Sequence, residues 1–252
     1  MLRQGSFAAD VALARAAGVG GIAVTADAIE TVGVDEARRI LDAEDVLVSS
    51  YMGAGTILQG DGGRQSLDET ARHLEVAAKL GAPAALVVTG GLGGLDPRSA
   101  DAICREWLAG AAALAAGCGI RVMLEPIHPL MRQLSFVHTL AHGLALVEGI
   151  DSAGIVLDVG HVWWEHGLDE LVRDNIQAIV SVQLTNVDSA ALAQFRYERS
   201  PLPSGDVPVA TLVRLLESSG YRGWYEEEVL VRSRRDQRLA MLRASREWFE
   251  AV

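Results

Sequence analysis

The chain is short of several residue types, and each shortage narrows what it can be. Cysteine occurs only at Cys104 and Cys118, without metal-ligand spacing or the pattern of a secreted disulfide framework, so both read as reduced packing residues. Lysine is scarcer: Lys79 is the only one. It falls inside the helical pattern from His73 to Leu80, which argues against Schiff-base chemistry, because that needs a desolvated lysine in a pocket. Basic charge is also lacking, with 22 Lys and Arg against 33 Asp and Glu and a formal charge of −11. Such a balance opposes wrapping nucleic acid phosphates or an anionic membrane. No long apolar run is uninterrupted: Trp107 to Leu124 is Ala/Gly-rich and contains Arg121, and the start Met1 to Gly5 lacks the apolar run of a signal peptide. A cytoplasmic location is the expectation. A glycine-rich nucleotide loop is missing too, since Gly90-Gly91-Leu92-Gly93-Gly94 spells neither G-x-G-x-x-G nor a P-loop, and it reads as a flexible substrate-side loop. What is abundant is core material: half of the 252 residues are hydrophobic and 26 are glycine, enough for residues 1–252 to form one large domain.

Short β-branched runs alternate with longer amphipathic segments, joined by a few Gly, Pro, Asp or Ser residues, which is the rhythm of repeated strand–helix units. Strands are predicted at Gly21–Thr25, Asp45–Ser50, Ala84–Thr89, Ile120–Glu125, Gly154–Asp158, Ile179–Leu184 and Gly223–Val229. Most are continuous apolar runs, as expected for strands covered on both faces. Helices are predicted at Ser6–Ala17, Val34–Ala43, Ser66–Leu80, Pro97–Ala116, Ser135–Glu148, Leu168–Asn175, Val209–Ser219 and Arg234–Glu250. Ser66-Leu67-Asp68-Glu69 resembles a capping box at one start. The order is αβαβ, with one more helix than strands. It predicts an α/β fold of the TIM type, a (β/α)8 barrel whose first strand is missing or reduced to the stub Met1–Gln4. The strands near Ile22 and Glu228 would then lose their shared neighbour and need cover. An open doubly wound sheet is the alternative.

In such a barrel the chemistry sits where strands finish, and four consecutive late strands finish in polar groups. Val122-Met123-Leu124-Glu125 ends in Glu125, Val156-Leu157-Asp158 in Asp158, Val180-Ser181-Val182-Gln183 carries Gln183, and Tyr225-Glu226-Glu227-Glu228 carries Glu228. Strand alternation puts Glu226 and Glu228 on one face and Glu227 on the other. Carboxylates converging from several strand ends repel one another, raising a pKa or demanding a cation. A divalent metal answers that demand. His161, just past Asp158, is placed to reach a metal-bound substrate or water.

At these residues the sequence resembles a family, the sugar isomerase/epimerase group with the xylose-isomerase-like barrel. The shared words are Leu124-Glu125-Pro126-Ile127-His128-Pro129, then Val156-Leu157-Asp158-Val159-Gly160-His161-Val162-Trp163-Trp164, then Gly220-Tyr221-Arg222-Gly223-Trp224-Tyr225-Glu226-Glu227-Glu228. The resemblance spans about Ser6 to Val229. The resemblance implies one divalent metal held by Glu125, Asp158, Gln183 and Glu228, with His161 as the family histidine beside it. Many relatives have His where this chain has Gln183; an all-oxygen set favours Mn²⁺ or Mg²⁺, with Co²⁺ or Zn²⁺ as further options. Relatives also carry an Arg before a Pro-Gly-x-Gly loop. Here Arg199-Ser200-Pro201-Leu202-Pro203-Ser204-Gly205-Asp206 is a shortened version, making Arg199 a substrate contact and Arg196 its rival.

A metal so held would chelate a hydroxyl and the neighbouring carbonyl of a ketose, acidifying the adjacent C–H. Glu125 and Glu228 are the expected proton-transfer residues. Transfer across two faces gives epimerisation, and transfer between adjacent carbons on one face gives aldose–ketose isomerisation. His161 would hold a substrate oxygen, Trp163 or Trp164 would wall the sugar's C–H face or serve as plain packing, and His128 and Glu226 complete the substrate-binding set. The expected partner is a small sugar or sugar-derived ketone, and the expected assembly a homodimer or tetramer. Alternatives are a dehydratase of the inosose type and an inactive sugar-binding barrel. A DNA-repair endonuclease fits poorly, since its multi-zinc site needs more histidine ligands than the six here supply.

Overall fold

The computed structural model describes residues 6–59, 64–228 and 235–252. Its strands are β1 (Gly21–Thr25), β2 (Leu47–Thr56), β3 (Ala84–Val88), β4 (Arg121–Leu124), β5 (Ala153–Asp158), β6 (Ile179–Leu184), β7 (Asn186–Val187), β8 (Arg199–Ser200) and β9 (Trp224–Glu227). Seven of them form one sheet in the order β1-β2-β3-β4-β5-β6-β9, with every pair parallel. Helices alternate with these strands, so the sheet curls into a TIM-type barrel that, among the described residues, is one strand short of closing. The predicted stub Met1–Gln4, and the predicted element ends Val229 and Arg234, lie outside the described residues.

Two apolar layers explain the strand sequences. All six residues of β5 are buried, as a strand requires when helices cover one face and the barrel interior the other. Met52, Ala84, Leu86, Met123 and Val156 form a small separate cluster on the inward face, while the larger core lies between sheet and helices. In the long helix Pro97–Gly117, Ala100, Cys104, Trp107, Leu108, Ala111 and Ala115 are buried at helical spacing. Cys104 is thus a packing residue, and burial pushes its thiol up to about 12. Among the described residues no helix is long and apolar enough to cross a membrane.

The inward face changes character over one step at the strand ends. Two residues after Met123 comes Glu125, and two after Val156 comes Asp158; the period of two keeps each pair on one face. Apolar interior therefore gives way to acid at the carboxyl-terminal mouth.

The seam between β1 and β9 is covered from outside. Helix Phe7–Ala17 packs on helix Arg235–Glu250; Arg243 donates to the Ala16 carbonyl at 3.0 Å, and buried Arg238 meets buried Asp10 at 3.2 Å. Behind them is a cavity of about 410 Å³ lined by Gly21, Ile22, Ser49, Trp224, Glu226 and Phe249, among others. The Trp224 ring reaches across to β1, where a Cβ on Gly21 would stand 2.8 Å from it.

Several elements differ from the sequence expectation. β2 was expected at Asp45–Ser50 but continues to Thr56, because a register shift between Met52 and Gly55 carries its pairing with β3 past Gly53, whose φ of 86° suits glycine. The helix expected at Ser135–Glu148 covers only Leu140–Val147. Ser135 does not begin it: its hydroxyl meets Thr89 Oγ1 at 2.8 Å and accepts from the Val137 amide, whereas Thr139 accepts from the His142 amide and starts the helix. Helix Ala26–Val32 was not anticipated, since no Gly or Pro separates it from β1.

Candidate active site at the barrel mouth

Glu125, Asp158 and His161 each bring a ligand atom to within 4.8 Å of the others, and all three are buried. Each is delivered by backbone geometry. Glu125 is the first residue after β4, and its amide donates to the Val87 carbonyl of β3 at 3.2 Å. Asp158 ends β5 and accepts the Gly160 amide on Oδ1 at 2.8 Å, which starts the single turn Val159–Val162. That turn lifts His161 over the mouth, so its Nε2 stands 3.5 Å from Asp158 Oδ2 and 3.6 Å from Glu125 Oε1. Glu228 arrives from the opposite side, just past β9, with its amide donating to the Leu184 carbonyl at 3.0 Å.

Arg199 ties the two sides together. It sits on the antiparallel ribbon β7–β8, braced by Asn186, whose Oδ1 accepts from the amides of Val187 and Val207. Its Nη1 lies 2.7 Å from Glu228 Oε2 and donates to the Glu228 carbonyl at 2.9 Å. Its Nη2 is 3.3 Å from Asp158 Oδ2 and 3.4 Å from His161 Nε2. Arg196, its rival in the sequence, instead pairs at the surface with Glu198.

The charges are under strain. Burial lifts Glu125 well above the usual carboxylate range, and Glu228 and Asp158 push it further up, against a lesser pull from Arg199. Asp158 is raised by burial despite Arg199 and the Gly160 amide, and Glu228 by burial despite Arg199. Burial opposes the charge of Arg199, but Asp158 and Glu228 outweigh it and raise its pKa. Burial, then Arg199, push His161 down to about 3, so its ring is neutral at ordinary pH.

The other expected residues divide into two groups. Gln183 is buried on β6, in register with Asp158 on one side and Glu226 on the other, and its Oε1 has no hydrogen-bond partner among the described residues. Glu226 lies deeper, apart from the cluster of Glu125, Asp158 and His161. Burial raises its pKa, while the Ser49 and Ser50 hydroxyls and the Gln183 amide favour its charged form without a hydrogen bond of normal geometry to either carboxylate oxygen. Around the mouth, His128 is half-buried with its ring 6.2 Å from Trp164. Trp164 is 40% exposed and donates to the His161 carbonyl at 2.9 Å. Trp163 packs against the core, with its indole nitrogen buried and unpartnered.

One residue of the site carries no sequence signal. Tyr197 stands between His128 and His161, 5.1 Å from each ring, with the Arg199 guanidinium 5.9 Å over its face. Its hydroxyl is buried without a hydrogen-bond partner among the described residues. A Cβ on Gly160 would come within 2.8 Å of that hydroxyl, so the glycine after Val159 is needed for close approach. Tyr197 lies in an irregular loop, where no periodicity marks an inward residue.

Glu125, Asp158 and the neutral imidazole of His161 are donors a divalent cation takes and lie close enough to share one, whereas Glu228 does not join that group. The residues present fit such an ion.

Comparison with known proteins agrees in fold. The family model described as xylose isomerase-like TIM barrel matches residues 11–252. No curated protein matches. Among solved structures, a protein of Sinorhizobium meliloti is similar with a TM-score of 0.86 at 24% identity, covering 98% of this chain and 94% of that one. The 3-keto-D-glucoside 4-epimerase of E. coli gives 0.79 at 18% identity, covering 99% and 95%. The IolI protein with a bound zinc atom gives 0.78 at 13%, covering 94% and 90%. At these identities the likeness is one of fold.

Proposed function

The chain belongs to the xylose isomerase-like TIM barrel family, and from that premise we propose that it is a divalent-metal-dependent isomerase or epimerase of a ketose or sugar-derived ketone. The observation that carries this reading is the convergence of buried Glu125 and Asp158 on neutral His161, with Asp158 and Glu228 held by the one guanidinium of Arg199.

Glu125, Asp158, Gln183 and Glu228 would hold the ion, with His161 close enough to join or to serve the substrate. Mn²⁺ or Mg²⁺ suits the oxygen donors, and Zn²⁺ or Co²⁺ suits a set that includes His161. When bound, the ion supplies polarisation of the substrate carbonyl, which acidifies the neighbouring C–H. Glu125 and Glu228 reach the mouth from strands separated by β5 and β6, so they can address opposite faces of a planar enediolate. One removes the proton and the other returns it. Arg199 and His161 would hold the oxygen on which negative charge grows. Tyr197, His128 and Trp164 form an aromatic rim against the sugar's C–H face.

The test is solvent exchange. The Mn²⁺-loaded protein is incubated in D₂O with a panel of free and phosphorylated ketoses and followed by proton NMR. Deuterium entering at the carbon beside the carbonyl, and lost in both Glu125→Gln and Glu228→Gln, is the expected result. No exchange with any ketose, with metal bound, would favour a binding barrel without turnover.

A further inference from the structure

Arg199 touches the same oxygens that the proposed metal would need. We infer that Arg199 and the divalent cation compete for Asp158 and Glu228, so that the ion binds tightly only when a substrate oxygen gives Arg199 another partner. The inference rests on the metal reading above and adds an order to it: metal and substrate bind cooperatively, through the position of one side chain.

The geometry supports competition. Arg199 Nη1 is 2.7 Å from Glu228 Oε2 and Nη2 is 3.3 Å from Asp158 Oδ2, with only 13% of the arginine side chain exposed. A cation coordinated by those two oxygens would stand within a few ångströms of the guanidinium, where two positive charges repel strongly in a buried setting. Tight ion binding therefore requires the guanidinium to leave one or both carboxylates.

The surroundings give it somewhere to go without leaving the site. Arg199 Nη1 also holds the Glu228 carbonyl at 2.9 Å, and its guanidinium lies over the Tyr197 ring, an arrangement that tolerates lateral movement of a cation. A substrate with an anionic or strongly accepting oxygen beside its carbonyl would draw it from the carboxylates and leave them to the metal. Linkage then requires the reverse as well: the metal makes the site bind such an oxygen more tightly, by the same factor.

The experiment compares Mn²⁺ affinity, read as free Mn²⁺ by electron paramagnetic resonance, in the wild type, Arg199→Gln, Arg199→Lys and Arg196→Gln. Arg199→Gln is expected to bind Mn²⁺ tighter by about tenfold or more. Arg199→Lys, which keeps the charge but cannot span both carboxylates, is expected to fall between it and the wild type. Arg196→Gln, which removes an equal charge at the surface, should match the wild type. Added guanidinium ion should weaken Mn²⁺ binding in Arg199→Gln more than in the wild type. Equal or weaker binding in a folded Arg199→Gln overturns the competition alone, whereas no Mn²⁺ uptake by any variant overturns the metal reading with it.

Discussion

His161 lies with its ring 5.1 Å from that of Tyr197, and the Tyr197 hydroxyl is buried without a hydrogen bond. The ring therefore packs a neutral imidazole against the mouth while its oxygen goes unsatisfied. A buried hydroxyl without a partner costs about 1–3 kcal/mol. Tyr197→Phe should then leave stability unchanged or raise it by up to about 1 kcal/mol, whereas Tyr197→Ala should lower it by about 3 kcal/mol through lost packing. Urea unfolding monitored by far-UV circular dichroism distinguishes them. A large loss in Tyr197→Phe would mean that the hydroxyl has a structural partner.

The state of His161 sets a pH dependence of known sign. Its pKa is lowered from 6.5 to about 3 in the fold, so the unfolded chain takes up a proton that the folded chain refuses. Stability is lost as pH falls below about 6.5, and at pH 5 the loss from this group is about 2 kcal/mol. His161→Gln should therefore lose less stability between pH 7 and 5 than the wild type. Nitrogen-15 NMR of the wild-type ring at pH 5 should show neutral imidazole. A charged imidazolium there would refute the burial argument.

Glu226 gives the opposite sign. Burial raises its folded pKa above 4.5, so the folded protein binds a proton that the unfolded chain has released. Its contribution to stability is full at acid pH and is lost as pH rises through the folded pKa. Glu226→Gln is expected to be more stable than the wild type at pH 8, by about 1 kcal/mol or more, with the difference shrinking toward pH 4. A pH-independent difference, measured by chemical unfolding at both ends, would point to packing alone.

Much of this site is legible in the sequence because the chemistry interrupts a pattern. Glu125 and Asp158 each end an apolar run whose only other course would be to stay apolar, and Glu228 follows Glu226 at the spacing of one strand face. The neighbours on loops are harder to see. Tyr197 has no periodic context, and its place between His128 and His161 depends on the ribbon of Asn186–Val187 with Arg199–Ser200. Cover for the seam was required by the missing strand, but the pairing of Asp10 with Arg238 joins opposite ends of the chain and no local pattern announces it. The helix expected from Ser135 starts later for a related reason, since the Ser135 hydroxyl is claimed by Thr89, just past β3.

The most direct test of a metal centre at the barrel mouth is the Mn²⁺ stoichiometry of purified, metal-stripped protein at saturating free Mn²⁺, enough to overcome competition from Arg199, with Glu125→Gln and Asp158→Asn treated identically. One ion per chain in the wild type, lost in both variants while each remains folded, is the predicted result. No uptake by the wild type, or uptake that persists in both variants, would contradict it.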